Sequence, residues 1–296
     1  MSKKEENTVA DFIKKFIGQE PEMGCVYFYR GQPDASQPHI PSIYKHRKIA
    51  REHVFFKEII CRSPDDFAKE KTTLEKLVKM QHYGIPTRLL DITSNPLVAL
   101  YFACGKKTKA NKGKKKTPCN GSVTVFQIPK SDICYYDSDK VSLISNLAKL
   151  SVPKAIKDTN FGYLIHEIRE EKPYYSDEFS EDNTDDISKV IPVKVKLNNS
   201  RILRQSGSFL LFGVSEKTIR TKEIKAKKDG EISRTYYNYS KHKCAEIDSE
   251  RWKSWSHIIE ANNKESYKKQ LDLLNINKST LFPELENQSD YLNRSY

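Results

Sequence analysis

Several things are missing from this chain of 296 residues, and each absence narrows the reading. No apolar run approaches the roughly 20 residues of a membrane-spanning helix, so a membrane protein is not expected. The start, Met1-Ser2-Lys3-Lys4-Glu5-Glu6-Asn7, is charged and has no apolar core, so neither is a secretory leader. The six cysteines include no Cys-x-x-Cys pair and mostly adjoin apolar residues, which suits reduced thiols in a cytoplasmic protein. The seven histidines lack metal-ligand spacing; His46 and His53 share a spacing of seven but have no third ligand, so no metal site is expected. There is no internal repeat, long Gly/Ser linker or break in composition, which favours a single α+β domain.

What the chain does have is positive charge. Lys and Arg number 51 against 39 acids, a formal +12, and that balance favours anionic partners, nucleic acid first. One segment, 106–116, holds seven lysines and no acid, so part of the excess is a single exposed loop. A second, 217–243, carries nine Lys or Arg with Tyr236, Tyr237 and Tyr239. Charge interleaved with stacking surfaces suits single-stranded RNA or DNA, with Lys112, Lys114, Lys115, Lys116, Tyr236 and Tyr237 as candidate contacts. The other reading is two solvated loops. Residues 167–186, with nine acids, read as solvated loop.

Helical spacing of Val9, Phe12, Ile13, Phe16 and Ile17 behind Thr8 predicts a helix ending at Gly18. Residues 25–30 read as a buried strand. Helices are expected over 48–61, 63–83 (Pro64 at its first position), 95–104, 138–150 and 244–274, a strand over 121–128, and a strand or hairpin over 200–214.

Three segments concentrate chemistry. In Tyr27-Phe28-Tyr29-Arg30-Gly31-Gln32, an arginine ending an apolar strand must meet a carboxylate or a phosphate, and Gly31 without a Cβ lets a ligand approach the backbone. The run 80–96, MQHYGIPTRLLDITSNP, packs polar side chains between two predicted helices, as site-forming loops do; the plainer alternatives are that Asp91 pairs with Arg88 and that His82 caps its helix. In Arg201-Ile202-Leu203-Arg204-Gln205-Ser206-Gly207, an amide lies between arginines and a glycine.

The phrases FYRGQ, MQHYGIPTRLLDITSNPLVALYFA and RILRQSGSFLLFG, in that order, resemble the FRG domain family, with Tyr29 where that family's name-giving motif has Phe. The resemblance spans nearly the whole chain and implies an N-terminal helix (1–23), an FRG domain (24–292, with a basic loop 105–120 and a charged insertion 215–243) and a tail (293–296). FRG proteins often accompany defence or toxin modules, which implies a toxin setting and an antitoxin partner.

A more remote resemblance, of Tyr-Arg-Gly and of Asp91-Ile92-Thr93-Ser94 followed by Ala99-Leu100-Tyr101-Phe102-Ala103, is to ADP-ribosyltransferases of the Arg-Ser-Glu type. It implies a split mixed β core flanked by helices, with NAD as substrate. Arg30 would hold an NAD phosphate, Gly31 would meet the nicotinamide amide, Tyr29 or Tyr83 would stack on the ring, and Thr93 or Asp91 would order strand and loop. Gln32, His82 and Arg88 complete the implied cofactor-binding set. Gln205 falls where that family has its catalytic glutamate, so the charge would come from Asp91 or from a glutamate such as Glu246 or Glu250. Alternatives of other classes are a non-catalytic nucleotide or nucleic-acid sensor and a nuclease, the latter disfavoured because spaced carboxylates are few outside the acidic loop.

Overall fold

A computed structural model describes residues 8–16, 19–45, 48–109, 116–150, 162–175, 185–215, 219–224, 234–239 and 244–284. Gly18, Lys112, Lys114, Lys115, the acidic stretch 176–184 and the expected tail lie outside them. Along the chain run α1 (Val9–Lys14), β1 (Cys25–Gln32), α2 (Ser42–Lys45), α3 (Glu52–Arg62), α4 (Pro64–Phe67), α5 (Thr73–His82), β2 (Leu89–Thr93) and α6 (Pro96–Ala103). Then come β3 (Thr108–Lys109), β4 (Thr117–Pro118), β5 (Gly121–Pro129), β6 (Cys134–Tyr135), α7 (Asp139–Asn146) and α8 (Gly162–Arg169). After these follow β7 (Val190–Lys194), α9 (Ser200–Arg204), β8 (Gly207–Phe212), β9 (Ile219–Ile224), β10 (Arg234–Tyr239), β11 (Lys253–Ile259), α10 (Lys264–Leu273) and α11 (Lys278–Leu281).

Seven strands form one mixed sheet in the order β11-β5-β1-β2-β8-β7-β6, and helices cover it, so the α+β class holds. All neighbours are antiparallel except β6 and β7. The ladder is uneven. β1 pairs with β5 at eight positions and β2 with β8 at five, but β1 meets β2 at one, Tyr29 opposite Thr93. The sheet is therefore continuous, yet nearly divided at its middle.

That division decides where helices pack. On one face, Tyr29, Val123 and Val125 of the first half-sheet bury against α6 (Ala99, Leu100), α10 (Tyr267, Leu271) and α1 (Val9, Phe12). Leu89, Phe209 and Leu211 of the second half bury on the same face against α5, α7 and α8. The opposite face, with Phe28, Leu90, Phe126 and Ile128, is closed by Ile43, Tyr44 and Trp252. The two helix groups leave a gap over the seam between β1 and β2.

Local chemistry explains several boundaries. Thr8 with Asp11, and Thr72 with Glu75, form reciprocal capping boxes that start α1 and α5. Asn95 caps α6, with Pro96 at its first position. α1 docks on α10 through Val9 N–H to Gln270 Oε1 at 2.8 Å, so the N-terminal helix is part of the core.

Other expectations need correction. Residues 63–83 form two helices, because Thr72 and Glu75 cap a new start that helical periodicity ignores. Residues 200–214 are a one-turn helix and then a strand, and the turn between them places Ser206 at φ 46°. Residues 244–274 are not one helix: β11 alternates exposure along Lys253–Ile259, and helix begins only at Lys264. The acidic stretch begins as the end of α8, where Glu171 accepts from Thr73 N–H at 2.9 Å and pairs with Lys149 at 2.9 Å. The described parts of the charged insertion are β9 and β10, an antiparallel pair.

Candidate active-site cleft

The seam opens into a cavity of about 230 Å³, lined from both half-sheets by Tyr29, Arg30, Asp91 and Thr93, and from the surrounding helices and turns by His82, Arg201 and Gln205 among others. All three motifs thus converge here. Ligand sites commonly form where a sheet parts in this way, because strand ends and helix termini expose polar groups around an apolar floor.

Arg30 sits where β1 and β2 separate. Its Nη1 donates to the Asp91 carbonyl at 2.6 Å, standing in for ladder bonds that the two strands do not make. Its Nε is buried without a partner, and among the described residues the guanidinium has no ion pair. Burial lowers its pKa from the ordinary value, countered in part by Asp91. A half-buried guanidinium with spare donors is suited to a bidentate oxyanion.

Asp91, exposed on β2, is the one carboxylate among the described residues lining the cleft. Its Oδ2 accepts from Gln81 Nε2 at 2.9 Å, and Gln81 Oε1 in turn accepts from Thr87 Oγ1–H at 2.7 Å. Thr93 has an ordering function: its hydroxyl donates to the Gln205 carbonyl at 2.6 Å and accepts the Asn95 N–H at 3.0 Å, tying β2 to the third motif. Gln205 lines the cleft, but its Nε2 donates to the Leu281 carbonyl at 3.0 Å. Arg201 donates to the His82 carbonyl at 2.9 Å, lies 4.5 Å over the Phe282 ring and is 3.7 Å from Glu284. Burial lowers its pKa, with Glu284 and then Asp91 opposing. His82, at the end of α5, is held down to about 4 by burial first and then by the Arg201 charge.

Other expected site residues stand elsewhere or serve the fold. Arg88 is not available to a ligand: it is 2% exposed, its Nε and Nη2 grip both oxygens of buried Glu52, and its Nη1 donates to the Phe212 carbonyl at 3.1 Å. Asp91 is therefore not its partner. Gly31 lines the cleft, but its missing Cβ makes room for helix rather than ligand; a methyl there would lie 1.7 Å from the Ala99 carbonyl oxygen of α6. Gly121 on β5 is matched against Ala103 in the same way, at 2.1 Å, so both glycines seat α6 on the sheet. Gln32, the last residue of β1, is buried and donates to the Gln37 carbonyl at 2.8 Å. Tyr29 lines the cleft but is mostly buried, edge-on to Phe16 at 5.5 Å; Tyr83 is 69% exposed and outside the lining. Glu246 and Glu250 are exposed and also outside it. Lys116 is exposed near β4, and for Tyr236 and Tyr237 the backbone pairing of β10 is what is described. Glu52 was missed by sequence reasoning, and so was Asn199. A lone acid on a predicted helix gives no signal for a partner 36 residues away.

Among the described residues no group of three or more His, Cys, Asp or Glu is arranged to hold a metal ion, and no helix is long and apolar enough to cross a membrane. Residues 26–112 match the FRG domain family. The match includes Arg30 and the 80–96 segment but stops short of Arg201–Phe209. No curated protein and no solved structure matches the chain.

Proposed function

We propose that this chain binds NAD in the seam cleft and transfers its ADP-ribose to a nucleic-acid acceptor, RNA or single-stranded DNA, as a toxin effector. The observation that carries this reading is Arg30: a guanidinium with a buried, unpartnered Nε, facing a cavity that three motifs line. The guanidinium is half-buried, has one buried donor unmet and has no ion pair among the described residues, which suits a bound oxyanion.

In this reading Arg30 holds a phosphate of the dinucleotide, and Asp91 faces the ribose as the cleft's carboxylate. The bond from the ribose carbon to the nicotinamide nitrogen breaks with its electron pair leaving on nitrogen, so nicotinamide departs neutral. The acceptor oxygen or nitrogen bonds to that carbon and gives up its proton to water. Asp91 stabilises the positive charge that develops on the sugar in between. Thr93 holds the third motif against β2, and the basic segments 106–116 and 217–243 draw in the polymer. Such a toxin acts in the cytoplasm and calls for a restraining antitoxin protein.

A second reading is favoured by one observation. By the transferase resemblance Gln205 falls where that family has its catalytic carboxylate, and its amide is occupied by Leu281, which suits a sensor that binds a nucleotide without turnover. Label transfer separates the two. With NAD labelled in its ADP-ribose half, wild type is expected to label RNA or single-stranded DNA and Arg30→Ala to label neither. No label on any polymer and no nicotinamide release would sink the transferase and leave the sensor.

A further inference from the structure

His82 has an environment that specifies its proton as well as its charge, and this deepens the nucleotide reading of the cleft, on which it rests. Asn199, the N-cap of α9, accepts the Arg201 N–H on its Oδ1 at 2.8 Å. That bond fixes which end of the amide is oxygen. The other end, Nδ2, is a donor only, and it stands 3.1 Å from His82 Nδ1. Nδ1 must therefore accept, and in a neutral ring the proton is then on Nε2. Nε2 has no hydrogen-bond partner among the described residues and belongs to a residue lining the cleft.

The charge follows from what surrounds the ring. The C-terminus of α5 favours an imidazolium, as do Asp91 of β2 and Glu284 beyond α11. Against them stand burial, the larger effect, and Arg201 of α9, whose guanidinium is also hydrogen-bonded to the His82 carbonyl. Burial and Arg201 win.

We infer that His82 meets the ligand as a neutral imidazole in a fixed Nε2–H tautomer, donating to an acceptor oxygen of the nucleotide, a carbonyl or phosphoryl oxygen. It is a positioning and specificity residue: it offers a hydrogen bond and cannot accept one, so an amino group in the same place is rejected.

The test uses the full chain with nitrogen-15-labelled histidine and ADP-ribose as the probe. At pH 7, His82 is expected to show an unprotonated Nδ1 and a protonated Nε2, and ADP-ribose is expected to shift the Nε2 signal. The opposite tautomer, or an imidazolium at pH 7, overturns the inference whether or not any nucleotide binds. His82→Gln, whose amide nitrogen reaches about where Nε2 lies, is expected to keep ADP-ribose affinity within about threefold, whereas His82→Ala loses about tenfold. Asn199→Asp keeps the cap but makes Nδ1 the donor, so affinity becomes pH-dependent, falling as the ring loses its extra proton; wild type stays flat from pH 5.5 to 8 (roughly the span in which a ring with so low a pKa is neutral). If wild type binds ADP-ribose and His82→Ala binds it equally well, the inference fails while the cleft reading stands. If wild type and Arg30→Ala both fail to bind, the cleft reading fails and takes the donor role with it.

Discussion

Two arginines flank β2, and the chain treats them in opposite ways. Arg88, just before the strand, is completely enclosed, with Glu52 along one edge of its guanidinium and the Phe212 carbonyl on another. Arg30, beside the strand's middle, has one backbone carbonyl and a buried Nε with nothing to bond. Both occur in motifs that sequence alone marks as functional. The difference teaches that a motif arginine is read by its partners: a satisfied fork holds a fold together, and an unsatisfied one keeps donors to spare.

The largest effect should come from breaking the satisfied fork. Glu52→Ala leaves a charge buried and unpaired and is expected to cost about 3–5 kcal/mol, measured by urea unfolding. A loss below about 1 kcal/mol would mean the pair is not structural. Arg30→Gln should do the converse: unfolding stability changes by less than about 1 kcal/mol or rises, while ADP-ribose affinity drops about ten- to a hundredfold in calorimetry. If Arg30→Gln unfolds the protein instead, the contrast collapses and both arginines are structural.

A smaller effect concerns His39, whose pKa is lowered to about 4 by burial and then by the Arg30 charge. Its folded pKa lies below the unfolded value near 6.5, so the folded protein binds fewer protons between the two. His39 therefore stabilises the fold above about pH 6.5 and loses that contribution as pH falls toward 4. Melts across this window should show a slope that His39→Gln reduces, and Arg30→Gln should soften it by removing a like charge. The smallest effect belongs to neither arginine: neutralising Lys112, Lys114, Lys115 and Lys116 should lower the salt dependence of RNA binding by up to about 3 in log–log slope. An unchanged slope would place the polymer elsewhere.

Sequence reading located the cleft better than it described it. β1, α6 and β5 were legible because β-rich runs and Asn95-Pro96 are local signals, whereas β2 lies inside the 80–96 segment expected as a loop, where five residues between polar neighbours give no strand signal of their own. β11 was not, since its alternation of Trp255, His257 and Ile259 with exposed residues lies inside a polar stretch that also fits a helix. Arg30, Asp91, Thr93, His82 and Gln205 were named together and line one cavity. The roles of Arg88 and Gly31 depend on residues distant in sequence, Glu52 and Ala99, and no local pattern reveals such partners.

The single rung between Tyr29 and Thr93 has a mechanical consequence. A sheet held by eight rungs on one side and five on the other, but by one between them, yields first at that point. The two ladders should exchange their amide hydrogens as separate units, each with its own protection. A ligand gripped by Arg30 on one side and by β2 on the other acts as a splint across that joint, so occupancy should merge the two units into one and slow exchange far from any atom the ligand touches.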